Sequence, residues 1–282
     1  MLTSLTAIHF LISYACPSEC DHCFIWGAPG RRGMTRKQVD TFLQELRAVP
    51  TITAVCAEGG EAFGDWDLAL HMIRRATELG LSASALTNAF WVTSREAATA
   101  RIVQLKAAGL TSLGVSTDEW HQRYIPVEKV DTVLAACADQ GLSASRMETQ
   151  IGGVMFRGRA AERLASRVPP RAPEDMTSCP HEQLGSPSRV HLDCYGKLHL
   201  CQGVVMGVGS PSAAIASYDP QNHPIIAPLL AGGPFALARY AMTLGFELEQ
   251  GYADACHLCY RVREFLRPRF PDLLGPDEMY GA

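Results

Sequence analysis

The sequence contains no run of apolar residues that approaches the roughly 18 needed for a membrane-spanning helix. Its N-terminal stretch also lacks the basic start and the small-residue cleavage site of a secretory signal peptide. A large charge of one sign is missing too, since the net charge is -4 and the pI is near 6.1. Such a chain has no bulk field to attract nucleic acid or an anionic membrane surface. We therefore expect a cytoplasmic protein without a nucleic-acid or membrane partner.

The sequence contains ten cysteines among its 282 residues. A disulfide framework is not expected, because cytoplasmic thiols are kept reduced and a chain of this length buries a core without cross-links. Metal or redox chemistry is the better hypothesis. Cys56 and Cys137 lie inside apolar runs, so we expect both to be buried structural thiols. The other cysteines form a trio near the N-terminus and a group of five towards the C-terminus.

Short β-prone runs alternate with helical patterns from residue 6 to about residue 168, which predicts repeated βα units and a parallel sheet. The helices have recognisable N-terminal signals, among them a capping box of Thr35 with Gln38 and a cap at Ser94. Such units form an open sheet or a barrel, and sites are built at the carboxyl ends of the strands in both. The predicted strands span residues 6–14, 53–58, 81–87, 110–117 and 143–151.

A proline-rich segment at residues 169–173 marks a predicted domain boundary, because consecutive prolines cannot continue a helix or a central strand. We therefore predict one domain over residues 1–168 and a second over residues 169–282. The second contains a predicted hairpin of residues 190–194 and 197–201, a helix around residues 235–245, and a last helix that begins near residue 256.

The N-terminal trio consists of Cys16, Cys20 and Cys23, which follow the first predicted strand. Thiolates at this spacing suit zinc or an iron-sulfur cluster. A structural zinc ion needs a fourth ligand, and His22 is the candidate inside the loop. The trio on its own leaves both kinds of metal site open.

Two neighbouring features extend the trio. Phe24 follows the last cysteine, and Gly59-Gly60-Glu61 follows the second predicted strand. Over residues 6 to about 151 this combination resembles the radical S-adenosylmethionine (SAM) enzymes. The resemblance implies that the three cysteines hold a [4Fe-4S] cluster whose fourth iron binds the amino and carboxylate groups of SAM. Reductive cleavage of SAM would then give a 5'-deoxyadenosyl radical that abstracts a hydrogen atom from the substrate.

The same resemblance assigns roles to the residues around the trio. It implies that Phe24 packs near the adenine and that Glu61 accepts a hydrogen bond from the ammonium group of SAM. Gly59 and Gly60 would allow a close backbone approach. Ala62 stands where the family usually has proline, a difference that concerns rigidity and removes no ligand.

Polar residues also follow the third and fourth predicted strands. The resemblance implies that Asn88 and Ser116 lie against the ribose or the substrate, and helix capping is the alternative role. Asp118 and His121 belong to a strand-to-helix loop rich in acidic, basic and aromatic groups. That loop suits a polar substrate, and a solvated surface loop is the alternative.

The C-terminal cysteines resemble the "twitch" extension of radical SAM dehydrogenases, a shortened relative of the SPASM domain that binds one auxiliary [4Fe-4S] cluster. Four cysteine ligands would close that cluster's coordination sphere. A zinc ribbon is the alternative, because hairpin thiolates with a Cys-x2-Cys pair also describe that fold. The implied ligands are Cys179, Cys201, Cys256 and Cys259, with Cys194 as the alternative to Cys179.

The position of Cys194 affects the predicted reaction. If the substrate radical passes its electron to the auxiliary cluster, the outcome is a two-electron oxidation, such as alcohol to ketone. If Cys194 is not a ligand, it is a spare buried thiol or a hydrogen-atom donor, and a donor would give epimerisation. The chain length and cysteine layout resemble the family's 2-deoxy-scyllo-inosamine dehydrogenase, an aminocyclitol dehydrogenase.

Together these patterns predict an α/β fold with a partial (β/α) barrel of five to six parallel strands and a small twitch-like domain. The implied function is that of a radical SAM oxidoreductase that uses SAM and two [4Fe-4S] clusters to oxidise a polar small molecule, such as a sugar or aminocyclitol-like alcohol. A flavodoxin or ferredoxin-type protein would supply the electron. The alternatives are a maturase that modifies a ribosomally made peptide and, from another class, a non-catalytic zinc-binding protein.

Overall fold

A computed structural model describes residues 2–281 of the chain. These residues form a mixed sheet of eight strands with helices packed against it. Along the sheet the strands follow the order β5-β4-β3-β2-β1-β6-β7-β8. The strands are β1 (Ala7–Ser13), β2 (Ala54–Gly59), β3 (Ser82–Thr87), β4 (Leu110–Ser116), β5 (Ser143–Met147), β6 (Arg189–Asp193), β7 (Lys197–Cys201) and β8 (Val204–Val208).

The helices connect the strands and cover the sheet. Helices α1 to α4 lie between consecutive strands from β1 to β5, which is the βα alternation that the sequence predicts. The helices are α1 (Arg36–Leu46), α2 (Trp66–Glu78), α3 (Arg95–Ala107), α4 (Val127–Asp139), α5 (Arg159–Arg163), α6 (Pro211–Ala216), α7 (Ile226–Met242) and α8 (Ala255–Leu266). No helix within residues 2–281 has the length and apolar character to cross a membrane.

The parallel part of the sheet contains six strands. Strands β1 to β5 pair in parallel, which confirms the predicted partial barrel, although β5 ends at Met147 before its predicted limit. The sixth parallel strand is β6, which pairs with the free edge of β1. Strands β7 and β8 then continue the sheet in antiparallel pairing. The predicted hairpin therefore exists, and its first strand completes the parallel set.

The sheet is continuous across the predicted domain boundary, since β1 and β6 come from opposite sides of residue 168. The division into two domains stays a prediction. Its outer limits, residues 1 and 282, lie outside the described residues. The continuity matters for the site, because it places residues from both predicted domains around one end of the sheet.

Local sequence signals explain several helix ends. The Thr35 hydroxyl accepts from the backbone N–H of Gln38 at 3.2 Å, and the Gln38 side chain accepts from the Thr35 N–H at 2.9 Å, so the predicted capping box is present. Ser94 caps α3 as predicted. Helix α7 begins earlier than predicted and is interrupted at Gly233, whose φ is +65°. The predicted structural thiols Cys56 and Cys137 are both buried.

Candidate active site

A cavity of about 490 Å³ lies at the carboxyl-end side of the parallel strands. All six parallel strands contribute to its wall. This is the end of a parallel sheet at which α/β proteins build their sites. The cavity also collects the residues predicted to hold the cluster and SAM, which are Cys16, Cys20, Cys23, Phe24, Gly59, Gly60, Glu61, Asn88 and Ser116. The predicted substrate-loop residues Asp118 and His121 line it as well.

N–H groups contact two of the three sulfur atoms of the cysteine loop, those of Cys16 and Cys23. Cys16 Sγ accepts from the backbone N–H of Ser18 at 3.4 Å and from Asn88 Nδ2 at 3.7 Å. Cys23 Sγ accepts from the N–H of Gly27 at 3.3 Å. Hydrogen bonds to sulfur stabilise thiolate ligands and help to set the reduction potential of an iron-sulfur cluster. The loop is therefore arranged to hold thiolates, although in the ligand-free chain burial raises the pKa of Cys16 to about 12.

Gly59, the last residue of β2, and Gly60 after it hold this strand against the start of the cysteine loop. The N–H of Gly60 donates to the Ser13 carbonyl at 2.7 Å, and that of Glu61 donates to the Ala15 carbonyl at 2.9 Å. A Cβ atom at Gly59 would lie 2.3 Å from the Ser13 oxygen, and one at Gly60 would lie 2.4 Å from the Ala15 oxygen. These glycines therefore permit a close backbone approach between β2 and the end of β1. The sequence alone does not reveal this contact.

Glu61 is buried at the start of the segment that follows β2. Its Oε1 accepts from the N–H of Phe63 at 3.1 Å and from the hydroxyl of Thr87 at 2.8 Å, and its Oε2 accepts from the N–H of Asn88 at 2.8 Å. A carboxylate has about four acceptor positions, so roughly one stays free for a cationic group of a ligand. Burial raises the pKa of Glu61 to about 7, although the three hydrogen bonds oppose that rise.

Asp118 connects the loop after β4 with the cysteine loop. Its Oδ1 accepts from the backbone N–H groups of Trp120 at 3.1 Å and His121 at 3.0 Å. The ring nitrogen Nε2 of His22 lies 3.5 Å from Asp118 Oδ2, and the His22 ring stacks on that of Trp120. Burial lowers the pKa of His22 to about 4, so this imidazole is neutral near pH 7. The structure thus brings Asp118 and His121 together beside the trio.

A second cavity is lined by the four implied auxiliary ligands, Cys179, Cys201, Cys256 and Cys259. Cys194 lines neither cavity. It is fully buried, and its Sγ lies 3.7 Å from the carbonyl oxygen of Arg32. The structure therefore places Cys179, and not Cys194, with the other three thiols.

The spacing of the thiols tests whether a single metal ion fits either cysteine group. Zinc with Zn–S bonds of about 2.3 Å in a tetrahedron brings its sulfur ligands to about 3.8 Å from one another. Within the described part of the chain, three groups of three or more possible ligand atoms lie within 4.8 Å of one another, and none contains more than one cysteine. Neither cysteine group is therefore gathered at the spacing of a single tetrahedral zinc site within the described residues. His22 belongs to the group with Asp118 and His121 and not to one with the trio.

Buried positive charge surrounds the second cavity. Arg157 and Arg263 both line it, and both are 2% exposed. Arg157 Nη1 donates to Cys201 Sγ, and Arg157 Nε is buried without a hydrogen-bond partner. No carboxylate within residues 2–281 forms an ion pair with either guanidinium. Because an uncompensated buried charge is costly, these residues fit an anionic group such as a cluster with four thiolate ligands.

The sequence did not single out a polar network that also lines the first cavity. Glu58 accepts from His9 Nδ1 at 2.9 Å through Oε2 and pairs with His191 Nδ1 at 2.6 Å through Oε1. Gln202 Nε2 lies 3.2 Å from His191 Nε2. These contacts hold the pKa of Glu58 well below its usual range, although burial opposes the shift. The available signal was a polar residue inside an otherwise apolar strand, as His9 is in β1.

Neither a family model nor a curated protein sequence matches the chain. Solved structures do match its fold. A structure of anSMEcpe with bound AdoMet, which is SAM, aligns with a TM-score of 0.53 at 11% identity, over 95% of this chain and 97% of that one. BtrN in complex with AdoMet and 2-DOIA aligns with a TM-score of 0.51 at 12% identity, over 81% of this chain and 88% of that one.

A structure of SuiB from Streptococcus suis bound to precursor peptide SuiA gives a TM-score of 0.47 at 11% identity, over 90% of this chain and 76% of that one. These neighbours are radical SAM enzymes. At this level of identity the likeness concerns the fold. The partial barrel with its strand-end cavity thus gives this chain the fold of the radical SAM enzymes, with an overall architecture similar to that of BtrN and anSMEcpe.

Proposed function

We propose that the protein is a radical SAM oxidoreductase that catalyses the two-electron oxidation of a polar small molecule, such as a sugar or aminocyclitol-like alcohol. The observation that supports this best is the strand-end cavity. It gathers the cysteine trio, Gly59-Gly60-Glu61 and polar side chains from several strands around one cavity. Such a cavity can hold a cofactor and a small substrate side by side.

In this proposal Cys16, Cys20 and Cys23 hold the cluster that binds SAM. When bound, cluster and SAM supply an electron and a 5'-deoxyadenosyl radical able to take a hydrogen atom from an unactivated carbon. The protein's own residues bind SAM and the substrate and orient them. Glu61 offers its remaining acceptor position to the ammonium of SAM, and the ring of Phe24 forms part of the wall. Electrons arrive from a flavodoxin or ferredoxin-type donor.

An auxiliary [4Fe-4S] cluster held by Cys179, Cys201, Cys256 and Cys259 is the proposed electron acceptor. The grouping of these thiols supports it, as do the two buried arginines around them. A zinc ribbon is disfavoured, because within the described residues these four thiols do not form a group compact enough for one tetrahedral ion.

Oxidation is favoured over epimerisation by the position of Cys194. A thiol that returns a hydrogen atom must reach the substrate radical, and Cys194 is fully buried and lines neither cavity. With an electron acceptor next to the cavity, the substrate radical can instead lose a proton and an electron and form a ketone.

The cavity wall favours a small hydroxylated or amino-bearing substrate. Carboxylates, neutral imidazoles and amides in the wall can donate to and accept from several hydroxyl groups at once. BtrN, whose structure contains AdoMet and 2-DOIA, has a similar fold and makes 2-DOIA a reasonable first probe.

The experiment uses the reconstituted, reduced protein with SAM and a panel of perdeuterated aminocyclitols, amino sugars and polyols, 2-DOIA included. The expected result is deuterium in 5'-deoxyadenosine, together with a product two mass units lighter than the unlabelled substrate in a parallel unlabelled reaction. Deuterium transfer with formation of a stereoisomer, in which one deuterium is replaced by hydrogen and whose mass in the unlabelled reaction equals that of the substrate, would overturn the oxidation. Transfer only from peptide substrates would support the maturase alternative instead.

A further inference from the structure

Arg157 lies in the wall that separates the two cavities, and it lines both of them. On one side its guanidinium donates to Cys201 Sγ, a proposed auxiliary ligand. On the other side the guanidinium lies over the ring of Phe24, 5.2 Å from the ring centre. Phe24 is the residue that follows the last cysteine of the trio. Its side chain therefore contacts the surroundings of both proposed clusters.

A chain of hydrogen bonds leads from Arg157 across the first cavity. Arg157 Nη2 donates to Gln202 Oε1 at 2.6 Å, and Gln202 Nε2 lies 3.2 Å from His191 Nε2. His191 is in turn paired with Glu58, and Glu58 with His9. Arg157 is the cationic end of this network, and the proposed electron acceptor lies next to that end.

The charge of Arg157 is permanent, and no carboxylate within residues 2–281 forms an ion pair with it. The residue is 2% exposed, and its nearest partners are a thiol, an amide oxygen and the thioether of Met155. Nearby acids are engaged elsewhere, since Glu182 lies 3.4 Å from Arg189 and Asp254 caps α8. In low-dielectric surroundings a charge this close to a cluster ligand acts strongly on the cluster.

We propose that Arg157 raises the reduction potential of the auxiliary cluster and so makes it the electron acceptor in the oxidation. This inference rests on the proposed function. The alcohol loses a hydrogen atom to the 5'-deoxyadenosyl radical, a proton to a base or to water, and one electron, which converts the auxiliary [4Fe-4S] core from the 2+ to the 1+ state. Because reduction adds negative charge beside Cys201, the adjacent guanidinium favours the reduced cluster.

The test is an EPR-monitored redox titration of the reconstituted full chain with Cys16, Cys20 and Cys23 replaced by Ala, so that one cluster is left. In that background Arg157→Gln is expected to shift the one-electron equilibrium at least tenfold towards the oxidised cluster, a fall in midpoint potential of about 59 mV or more. Arg157→Lys keeps the positive charge and is expected to restore most of the wild-type midpoint potential.

Arg159 is the matched control. It is also buried, at 5% exposed, but its guanidinium donates to the carbonyl groups of Cys20 at 3.1 Å and Gly27 at 2.8 Å. Arg159→Gln in the same background is expected to leave the auxiliary potential unchanged. An equal shift in the Arg157 and Arg159 variants, or no shift for Arg157→Gln with an intact cluster, would overturn the proposal.

Variants of Gln202 keep the proposal testable if Arg157→Gln does not assemble a cluster. Gln202→Glu places a carboxylate against Arg157 and is expected to lower the reduction potential of the auxiliary cluster. Gln202→Leu removes the hydrogen bond but keeps the cation, and the expected fall in potential is smaller. Equal potentials in the two variants would count against the charge effect. If the protein with the trio replaced binds no iron and sulfide at all, the proposed auxiliary cluster is wrong. An intact cluster with an unchanged potential would instead contradict only the role proposed for Arg157.

Discussion

At the residue scale, Glu61 combines burial with an acceptor position that is still free. Burial raises its pKa to about 7, so below that pH the carboxyl is mostly protonated and above it mostly charged. A charged hydrogen bond to the ammonium of SAM is worth about 1.5–3 kcal/mol. Glu61→Gln is therefore expected to weaken SAM binding roughly tenfold or more, and the difference from wild type should grow between about pH 6 and about pH 8.

Equilibrium dialysis of SAM against the cluster-loaded proteins measures this difference. Iron content serves as the control and is expected to be equal in both proteins, because the hydrogen bonds of Glu61 go to Phe63, Thr87 and Asn88. Equal affinity at both pH values would remove Glu61 from the proposed SAM site.

Cys179 and Cys194 differ in a way that iron analysis can detect. Two [4Fe-4S] clusters bring about eight iron ions per chain. Cys179→Ala is expected to leave about four, and Cys194→Ala about eight, because Cys179 lines the second cavity and Cys194 does not. Cys137→Ala is the matched control, since Cys137 is also fully buried and lies in α4. Loss of a cluster in Cys194→Ala with retention in Cys179→Ala would reverse the ligand assignment.

The sequence predicts some cavity residues well and misses others for a physical reason. Cysteines at fixed spacing and a Gly-Gly-Glu after a strand are local patterns, and the structure places both in one cavity. Glu58, His191 and Arg157 meet through non-local contacts, since the partners Glu58 and His191 are 133 positions apart in the sequence. No short-range pattern marks such a meeting, so the network became visible only in three dimensions.

At the element scale, the junction of β1, β2 and the cysteine loop depends on Gly60. An added methyl group there would meet the Ala15 carbonyl, and overpacking of this kind costs typically about 1–3 kcal/mol. Gly60→Ala is therefore expected to lower the free energy of unfolding by about that amount and to reduce cluster retention by the trio. Urea unfolding and iron analysis check the two effects.

Gly64→Ala is the control, because a Cβ atom at Gly64 meets no other heavy atom within 4 Å. It is expected to leave both measurements close to wild type. Similar losses in the Gly60 and Gly64 variants would mean that the close contact with Ala15 does not position the cysteine loop.

The sequence predicts the positions of helices and strands better than it predicts which strands pair. Amphipathic patterns and caps identified α1 to α4 and the five strands between residues 6 and 151, because these signals are local. The pairing of β6 with β1 was missed, since it joins residues as distant as Ala7 and Arg189. Periodicity indicates that a strand exists and not which edge it joins. Helix α5 was missed as well, because five residues are too short for a helical period to show.

At the scale of the whole molecule, one sheet places two cysteine-lined cavities side by side with Arg157 in their common wall. This arrangement follows from the addition of β6 to β1, which brings the C-terminal region against the barrel. Sequence patterns predicted the two cysteine groups but not that their cavities would be adjacent. Adjacency is what makes transfer of an electron from a substrate radical to the second cluster physically reasonable.

The most direct test of radical SAM chemistry in this fold is 5'-deoxyadenosine formation from SAM by the reconstituted, reduced protein. Wild type is expected to form it. The variant with Cys16, Cys20 and Cys23 all replaced by Ala is expected to form none while it keeps about four iron ions in the second site. Formation of 5'-deoxyadenosine by that variant, or its absence from wild type with about eight iron ions bound, would contradict the proposed function.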